Sequence, residues 1–198
     1  LGNIRETDAI LHVLRCFDDG NVVHVDGSVD PIRDKEVIDM ELQLKDLETV
    51  QARATKIKKA AQTGDKEAAK SYGFYERIIT ALESGKSARS VDLDDSEIAI
   101  LKELQLITAK PVMYVCNVDE ASVISGNPYV ERVQEIARAE GASLMIIGAA
   151  IEADIAELDD PDERSMFLED LGLKEAGVAQ LIRKAYELLD LQTYFTAG

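Results

Sequence analysis

The stretch that most constrains the fold is a helical seam. Val37, Met40, Leu44, Leu47, Val50, Ala54, Ile57 and Ala61 follow one another at spacings of three or four residues, the pattern of a coiled coil. Gly64-Asp65 breaks the seam. Ala68, Tyr72, Tyr75, Ile79 and Leu82 then resume it as far as Gly85. Two seams about a tight break predict an antiparallel helical hairpin. At about 1.5 Å per residue the first arm is roughly 40 Å long, so the hairpin is expected to project. Asp30-Pro31 supplies its start, with Asp30 as N-cap. A third helix is expected from Asp94, where Asp94-x-x-Glu97 has the form of a capping box, through Ile98, Leu101 and Leu104.

On either side of the hairpin the rhythm changes. Asp8 to Phe17 reads as a buried strand, Asp18 to Asn21 as a turn, and Val22 to Val25 as a short extended piece. Val112 to Cys116 is a continuous apolar run between Lys110-Pro111 and Asn117, the mark of a strand covered on both faces. Asn127-Pro128 opens an amphipathic helix, Tyr129 to Ala139, closed by Gly141. Ser143 to Ile147 is the next buried strand and ends in Gly148-Ala149-Ala150. Strand, helix and strand with short links imply a right-handed βαβ unit. Leu158 to Leu171 looks helical in pieces. Ala176 to Leu189 is an amphipathic helix through Val178, Leu181, Ile182, Ala185 and Leu188, and residues 191–198 have strand character. The expected organisation is an α/β domain, mainly parallel, formed by residues 1–33 and 107–190. A helical insertion at 34–106 splits it, and 191–198 begin a further domain.

Composition limits the function classes. A net charge of −16 argues against nucleic acid for the chain as a whole, but its distribution is uneven. Residues 34–89 hold 11 Lys and Arg against 10 Asp and Glu, and the remainder holds 11 against 28. No apolar run approaches the ~20 residues that span a membrane, and no signal-peptide pattern is present. Cys16 and Cys116 sit in apolar runs without metal-ligand spacing and read as reduced core residues of a cytosolic protein.

In a parallel sheet ligands bind beyond the carboxyl ends of the strands, which points to Asn117–Glu120 and to Gly148–Glu152. The Asn117 carboxamide offers a donor and an acceptor, the complement of a purine edge, and Glu120 can accept from an N–H. Gly148 and Ala149 allow close backbone approach. The same stretches also read as ordinary turns. His12 and His24, in extended apolar runs, read as structural. Glu152, Asp154 and the run Asp159–Glu163 suit a cation or, more simply, a solvated helix N-terminus. No H-E-x-x-H, C-x-x-C, G-x-S-x-G or phosphate-loop motif occurs, so no catalytic residue and no metal ligand is assigned. Arg53, Lys56, Lys58, Lys59 and Lys66 face a single Asp65 within residues 52–66. A basic hairpin tip suits RNA, and it is equally a solvated helix flank.

Several stretches together carry a resemblance: Asn3–Ile10, Val25–Asp34, Leu104–Pro111, Asn117-Val-Asp-Glu120, Ile151–Asp154 and Thr193–Gly198. In this order, along the whole chain, they resemble the YchF/Obg-like ATPases, a branch of the translation-factor-related P-loop GTPases. The resemblance implies a P-loop NTPase-like G domain with an inserted coiled coil, followed by a TGS domain that residues 191–198 would begin. It implies hydrolysis of ATP, and also of GTP, with magnesium, in a cytoplasmic protein. That protein is expected to be a monomer that works with the ribosome or RNA and not with a membrane. Asn117-Val-Asp-Glu120 occupies the place of the N-K-x-D that reads guanine in typical GTPases. By resemblance Asn117 contacts the purine and the Val118 backbone reads the adenine amino group, with Glu120 where the guanine-reading Asp would be. Gly148, Ala149 and Ala150 correspond to the second base-facing loop, where the family usually has Ser or Cys first. The family's phosphate loop, first switch and magnesium ligands precede the residue matching Leu1, and most of its TGS domain follows Gly198. The family also has a few more residues between the positions of Gly2 and Ile4. The resemblance thus implies a partial chain that carries base recognition without phosphate chemistry.

Overall fold

The computed structural model describes residues 2–19 and 28–191. In chain order the elements are α1 (Gly2–Arg5), β1 (Ile10–Arg15), α2 (Pro31–Gln62), α3 (Lys66–Glu83), α4 (Asp95–Leu104), β2 (Val112–Asn117), α5 (Pro128–Glu140), β3 (Ser143–Ile147), α6 (Ala149–Glu157), α7 (Pro161–Asp170) and α8 (Gly177–Leu188). Short 3-10 turns cover Ala88–Ser90, Ile107–Ala109 and Glu120–Ser122. The extended piece expected at Val22–Val25, His24, and the strand character of 192–198 lie outside the described residues.

The described residues form two compact units. One holds residues 9–19, 28–35 and 111–191, and the other holds 2–8 and 36–110. Residues 2–8 were expected with the α/β part and group instead with the helices. Their polar contacts explain this. Arg5 donates to the carbonyl of Lys45 at 3.2 Å and to Thr49 Oγ1 at 3.0 Å. Lys110 Nζ donates to the carbonyls of Arg5, at 2.8 Å, and Thr7.

In the α/β unit β2 is the central strand, flanked in parallel by β1 and β3. Residues 112–116 are all buried, as the unbroken apolar run predicts. β1 departs from its expectation: Leu14 is buried, but Leu11 and Val13 are exposed, Val13 by 62%. β1 pairs only with β2 among the described strands, so its burial alternates like that of a strand covered on one face. On that face Leu14, Cys16, Val112, Tyr114 and Cys116 pack against Val130, Val133 and Ala137 of α5. Each such fully buried aliphatic side chain contributes about 1.5–3 kcal/mol. The other face, Met113, Val115 and Met145, is covered by Leu181 and Leu188 of α8. Val178 and Ile182, expected on that apolar face, are exposed. At 100° per residue Val178, Ile182 and Tyr186 lie about 60°, 100° and 140° to one side of Leu181 and form a second, outward stripe. Asn127 caps α5 ahead of Pro128, and Gly141, at φ +64°, closes it. The stretch 158–171, expected to be helical in pieces, holds the single helix α7, with the Asp160 carboxylate accepting from Asp162 N, and α6 precedes it where no helix was expected.

Two polar features tie this unit together. Glu140 accepts from Tyr114 OH at 2.6 Å and from the buried Lys35 ammonium at 2.8 Å. This anchors the first turn of α2, whose Ile32 also packs on the core. Cys16 and Cys116 are buried free thiols. The Cys16 thiol is pushed up from its ordinary value by its hydrogen bond with Cys116 and by burial.

In the helical unit α2 and α3 run antiparallel about the break at Gly64, φ +101°, where Asp65 caps α3 through Ala68 N at 3.1 Å. Val50 and Ala54 pack against Phe74, Tyr75, Ile78 and Leu82. The seam is only half used: Val37, Met40 and Leu44 are exposed by 58, 61 and 53%. α3 is 18 residues long against 32 for α2, and Gln43 already reaches the Gly85 carbonyl beyond its end. Met40 and Leu44 therefore edge an open cavity with Leu82 and Glu83 at the very end of α3 and are not packed beneath it. α4 begins with the expected capping box between Asp94 and Glu97. Deep in this unit the fully buried Asp46 carboxylate accepts from Ile107 N at 3.0 Å, from Thr108 N at 2.7 Å and from Thr108 Oγ1 at 2.7 Å. Among the described residues no helix is long and apolar enough to cross a membrane.

Candidate functional site

The parallel register aligns Arg15, Asn117 and Ile147 in one row. Neighbouring strands lie about 4.8 Å apart, so the loops leaving their carboxyl ends crowd together. Asn117 is the hub of this edge. Its backbone carbonyl accepts from Cys16 N at 2.8 Å. Its side-chain Oδ1 accepts from Ala149 N at 2.9 Å. The carboxamide thus spans from the end of β2 to the first residue of α6, and its Nδ2 donors have no partner among the described residues.

Val118 is buried and its N–H donates to the Ile147 carbonyl at 2.9 Å. Its own carbonyl has no hydrogen bond among the described residues. Asp119 turns the chain by accepting from Ser122 N at 3.0 Å, which starts the 3-10 turn on Glu120, and Glu120 itself is exposed. Gly148 is the N-cap of α6 without a capping side chain. A Cβ there would meet the tip of Ile151 at 3.0 Å, so Ile151 fills the space that a side chain at 148 would need. Ala149 and Ala150 are exposed on the first turn of α6. The six residues expected at a base site therefore lie on two adjoining loops, bridged by Asn117.

Three side chains have roles at this edge that the sequence did not show. Asp119 caps the turn that presents Glu120. Asn127, legible as a helix cap, also donates through Nδ2 to the Cys16 carbonyl at 2.7 Å and to Ser122 Oγ at 3.3 Å. Glu152, read as an acidic residue near a helix start, accepts from Gly177 N at 2.7 Å and Val178 N at 3.0 Å. It thereby caps α8, 25 residues away. A cavity of about 280 Å³ runs along β3 and α8 past Glu152 and Lys184. Of the six residues only Gly148 lines it, so it is a neighbour of the site. His12 packs at 5.8 Å from the Tyr114 ring, the structural role expected of it.

The five basic residues lie elsewhere, on the last turns of α2 and the first of α3. Arg53, Lys56, Lys58, Lys59 and Lys66 are all exposed. None makes an ion pair with a described residue.

A parallel sheet with a polar loop at the carboxyl end of its central strand, and a helical segment inserted between β1 and β2, defines the class. This is an α/β domain with a helical insertion. No protein-family model matches the chain. The solved structure of the Schizosaccharomyces pombe YchF GTPase matches with a TM-score of 0.87 at 30% identity, over all of this chain and 54% of that one. The Ribosome-binding ATPase YchF of Pasteurella multocida is 48% identical over 198 residues, all of this chain and 54% of the relative. That of Bacillus subtilis is 46% identical over 200 residues with the same shares. The chain is a homologue of the YchF proteins along its whole length, and it spans about half the length of the relatives it matches.

Proposed function

We propose that the intact protein hydrolyses ATP, with GTP as a second substrate, in association with the ribosome, and that this chain supplies the base-recognition corner. The observation that carries the reading is Asn117. Its Oδ1 is held by Ala149 N, so the amide is oriented with its Nδ2 donors open to the space beyond the strands. A purine presents an acceptor at N7, which such a donor fits. The Val118 N–H is already engaged by Ile147. The backbone group left at Val118 is a carbonyl, the acceptor that the adenine amino group requires. Glu120, one methylene longer than the Asp of guanine readers, stands where that carboxylate would accept two guanine N–H bonds.

Phosphoryl transfer rests on positioning and charge stabilisation at the phosphates, and the residues here address the base alone. Magnesium is expected to accompany the nucleotide. Among the described residues no group of three or more His, Cys, Asp or Glu is placed to hold a metal ion. Beside nucleotide phosphates magnesium is held by one or two carboxylates together with phosphate oxygens and water, and the residues here are assigned to the base alone. We place the working protein in the cytoplasm, as a monomer.

The test is competition of ATP against GTP for the intact protein, repeated with Glu120→Asp. ATP is expected to win in the parent. The substitution is expected to move the ratio toward GTP by roughly tenfold or more, the scale of a buried hydrogen-bonding group gaining its partner. An unchanged ratio overturns the assignment of Glu120.

A second reading, a non-catalytic RNA-binding or ribosome-binding module, is favoured by the five exposed, unpaired cations near the α2–α3 turn. Replacing Lys56, Lys58 and Lys59 by Glu should weaken RNA binding and flatten its salt dependence. Equal binding by both proteins removes this surface from consideration.

A further inference from the structure

We propose that Asn127 is a positioning residue that sets the purine selectivity of the Asn117–Glu120 loop, an inference that rests on the base-site reading above. The geometry separates two jobs within one side chain. Oδ1 accepts from Val130 N at 3.1 Å and caps α5. Nδ2 points the other way, to the Cys16 carbonyl at 2.7 Å and to Ser122 Oγ at 3.3 Å.

Those two acceptors are the two ends of the candidate loop's support. Cys16 is the residue whose N–H holds the Asn117 backbone carbonyl, at 2.8 Å. Ser122 is the last residue of the turn that begins with Glu120. Its N–H is held by Asp119 and its carbonyl accepts from Gly126 N at 2.8 Å. The amide of Asn127 therefore clamps the loop from both sides. It fixes the spacing between the Asn117 amide, the Val118 carbonyl and the Glu120 carboxylate, the three groups that would meet one base. Asn127 itself touches no ligand in this scheme. A plain helix cap needs only the acceptor half of the side chain, and Ser or Asp serve as caps as well as Asn does. The donor half is the part that a capping role leaves unexplained.

This division gives a clean experiment on the intact protein. Asn127→Ser keeps a hydroxyl that can cap α5 and is too short to reach Cys16. Asn127→Ala removes both jobs. Melting temperature and the dissociation constants of fluorescent ATP and GTP analogues are measured for the three proteins. Asn127→Ser is expected to melt close to the parent and bind the ATP analogue roughly five- to tenfold more weakly, the loss of one or two positioning hydrogen bonds. Its ATP-over-GTP ratio should contract toward one. Asn127→Ala should show the same contraction together with a lower melting temperature. Three results overturn the proposal: unchanged affinities and ratio in Asn127→Ser; an equal loss for both nucleotides with the ratio intact; or a melting temperature as low in Asn127→Ser as in Asn127→Ala. Failure of the unmutated protein to bind either nucleotide instead overturns the base-site reading, and so the two failures are told apart.

Discussion

Removing the carboxylate of Asp46 should unfold the helical unit at a markedly lower temperature. Asp46 is completely buried in a helix and satisfies three donors that lie more than 60 residues later in the chain, two backbone N–H groups and the Thr108 hydroxyl. Arg5, at 3.9 Å, is too distant and too exposed to add much. In Asp46→Ala the hydroxyl can turn elsewhere, but the N–H groups of Ile107 and Thr108 cannot. Each buried, unsatisfied donor costs about 1–3 kcal/mol. The relieved desolvation of the carboxylate offsets part of this, so the net loss should be about 2–4 kcal/mol. For a chain of this size roughly 2–4 °C of melting temperature accompanies each kcal/mol, which gives a fall of roughly 5–15 °C. Asp46→Asn should also destabilise, because both carboxylate oxygens accept and either orientation of the amide sets its NH2 against a donor. The assay is thermal and urea unfolding followed by circular dichroism, with hydrogen exchange of the Ile107 and Thr108 amides as the local reporter. A loss below about 1 kcal/mol in Asp46→Ala, with both amides still protected, would refute the reasoning, since those donors would then have found other partners.

Two further outcomes follow from capping. Glu152→Ala removes the carboxylate that accepts from the first two N–H groups of α8, so stability should fall by about 2–3 kcal/mol. Exchange at Gly177 and Val178 should accelerate first, and unchanged exchange there counts against the cap. Asp94 is held below the usual carboxylate range by hydrogen bonds from Ser96 Oγ and Glu97 N, so its charge stabilises the fold above the unfolded-state value and ceases to as pH falls through the folded one. Asn can still cap α4. The stability gap between the parent and Asp94→Asn should therefore hold steady above about pH 5 and close below about pH 4. A gap that widens on acidification contradicts this sign.

Local patterns were legible wherever one rule decided the outcome. The unbroken run 112–116 could only be a strand covered twice, and Gly64-Asp65, Asp94-x-x-Glu97 and Asn127-Pro128 each announced a boundary that the structure keeps. What the sequence concealed depends on partners far along the chain. The seam at Val37, Met40 and Leu44 has the right spacing, but spacing does not say how long the opposing helix will be. Val13 reads as buried because a strand's second face is fixed by its neighbours and not by its own residues. Asp46 looks like any acidic residue of a helix until Ile107 and Thr108 close over it. In the site, Asn117 and Glu120 stood out by position after a strand, whereas the second hand of Asn127 and the long reach of Glu152 had no local trace.

The register of β1 on β2 has a consequence for synthesis. Ile10 pairs with Val112, so β1 leaves the ribosome about a hundred residues before β2, which it must join. At roughly 5–20 residues per second that is on the order of 5–20 s. During the wait the whole of α2, α3 and α4 emerges, and the contacts between α2 and α3 fold back on a single tight turn. The insertion is therefore placed to assemble before β1 can meet β2. The interruption of the sheet sets an order of birth for this pairing: the helices between the two strands precede it, and β2 is the event that completes it.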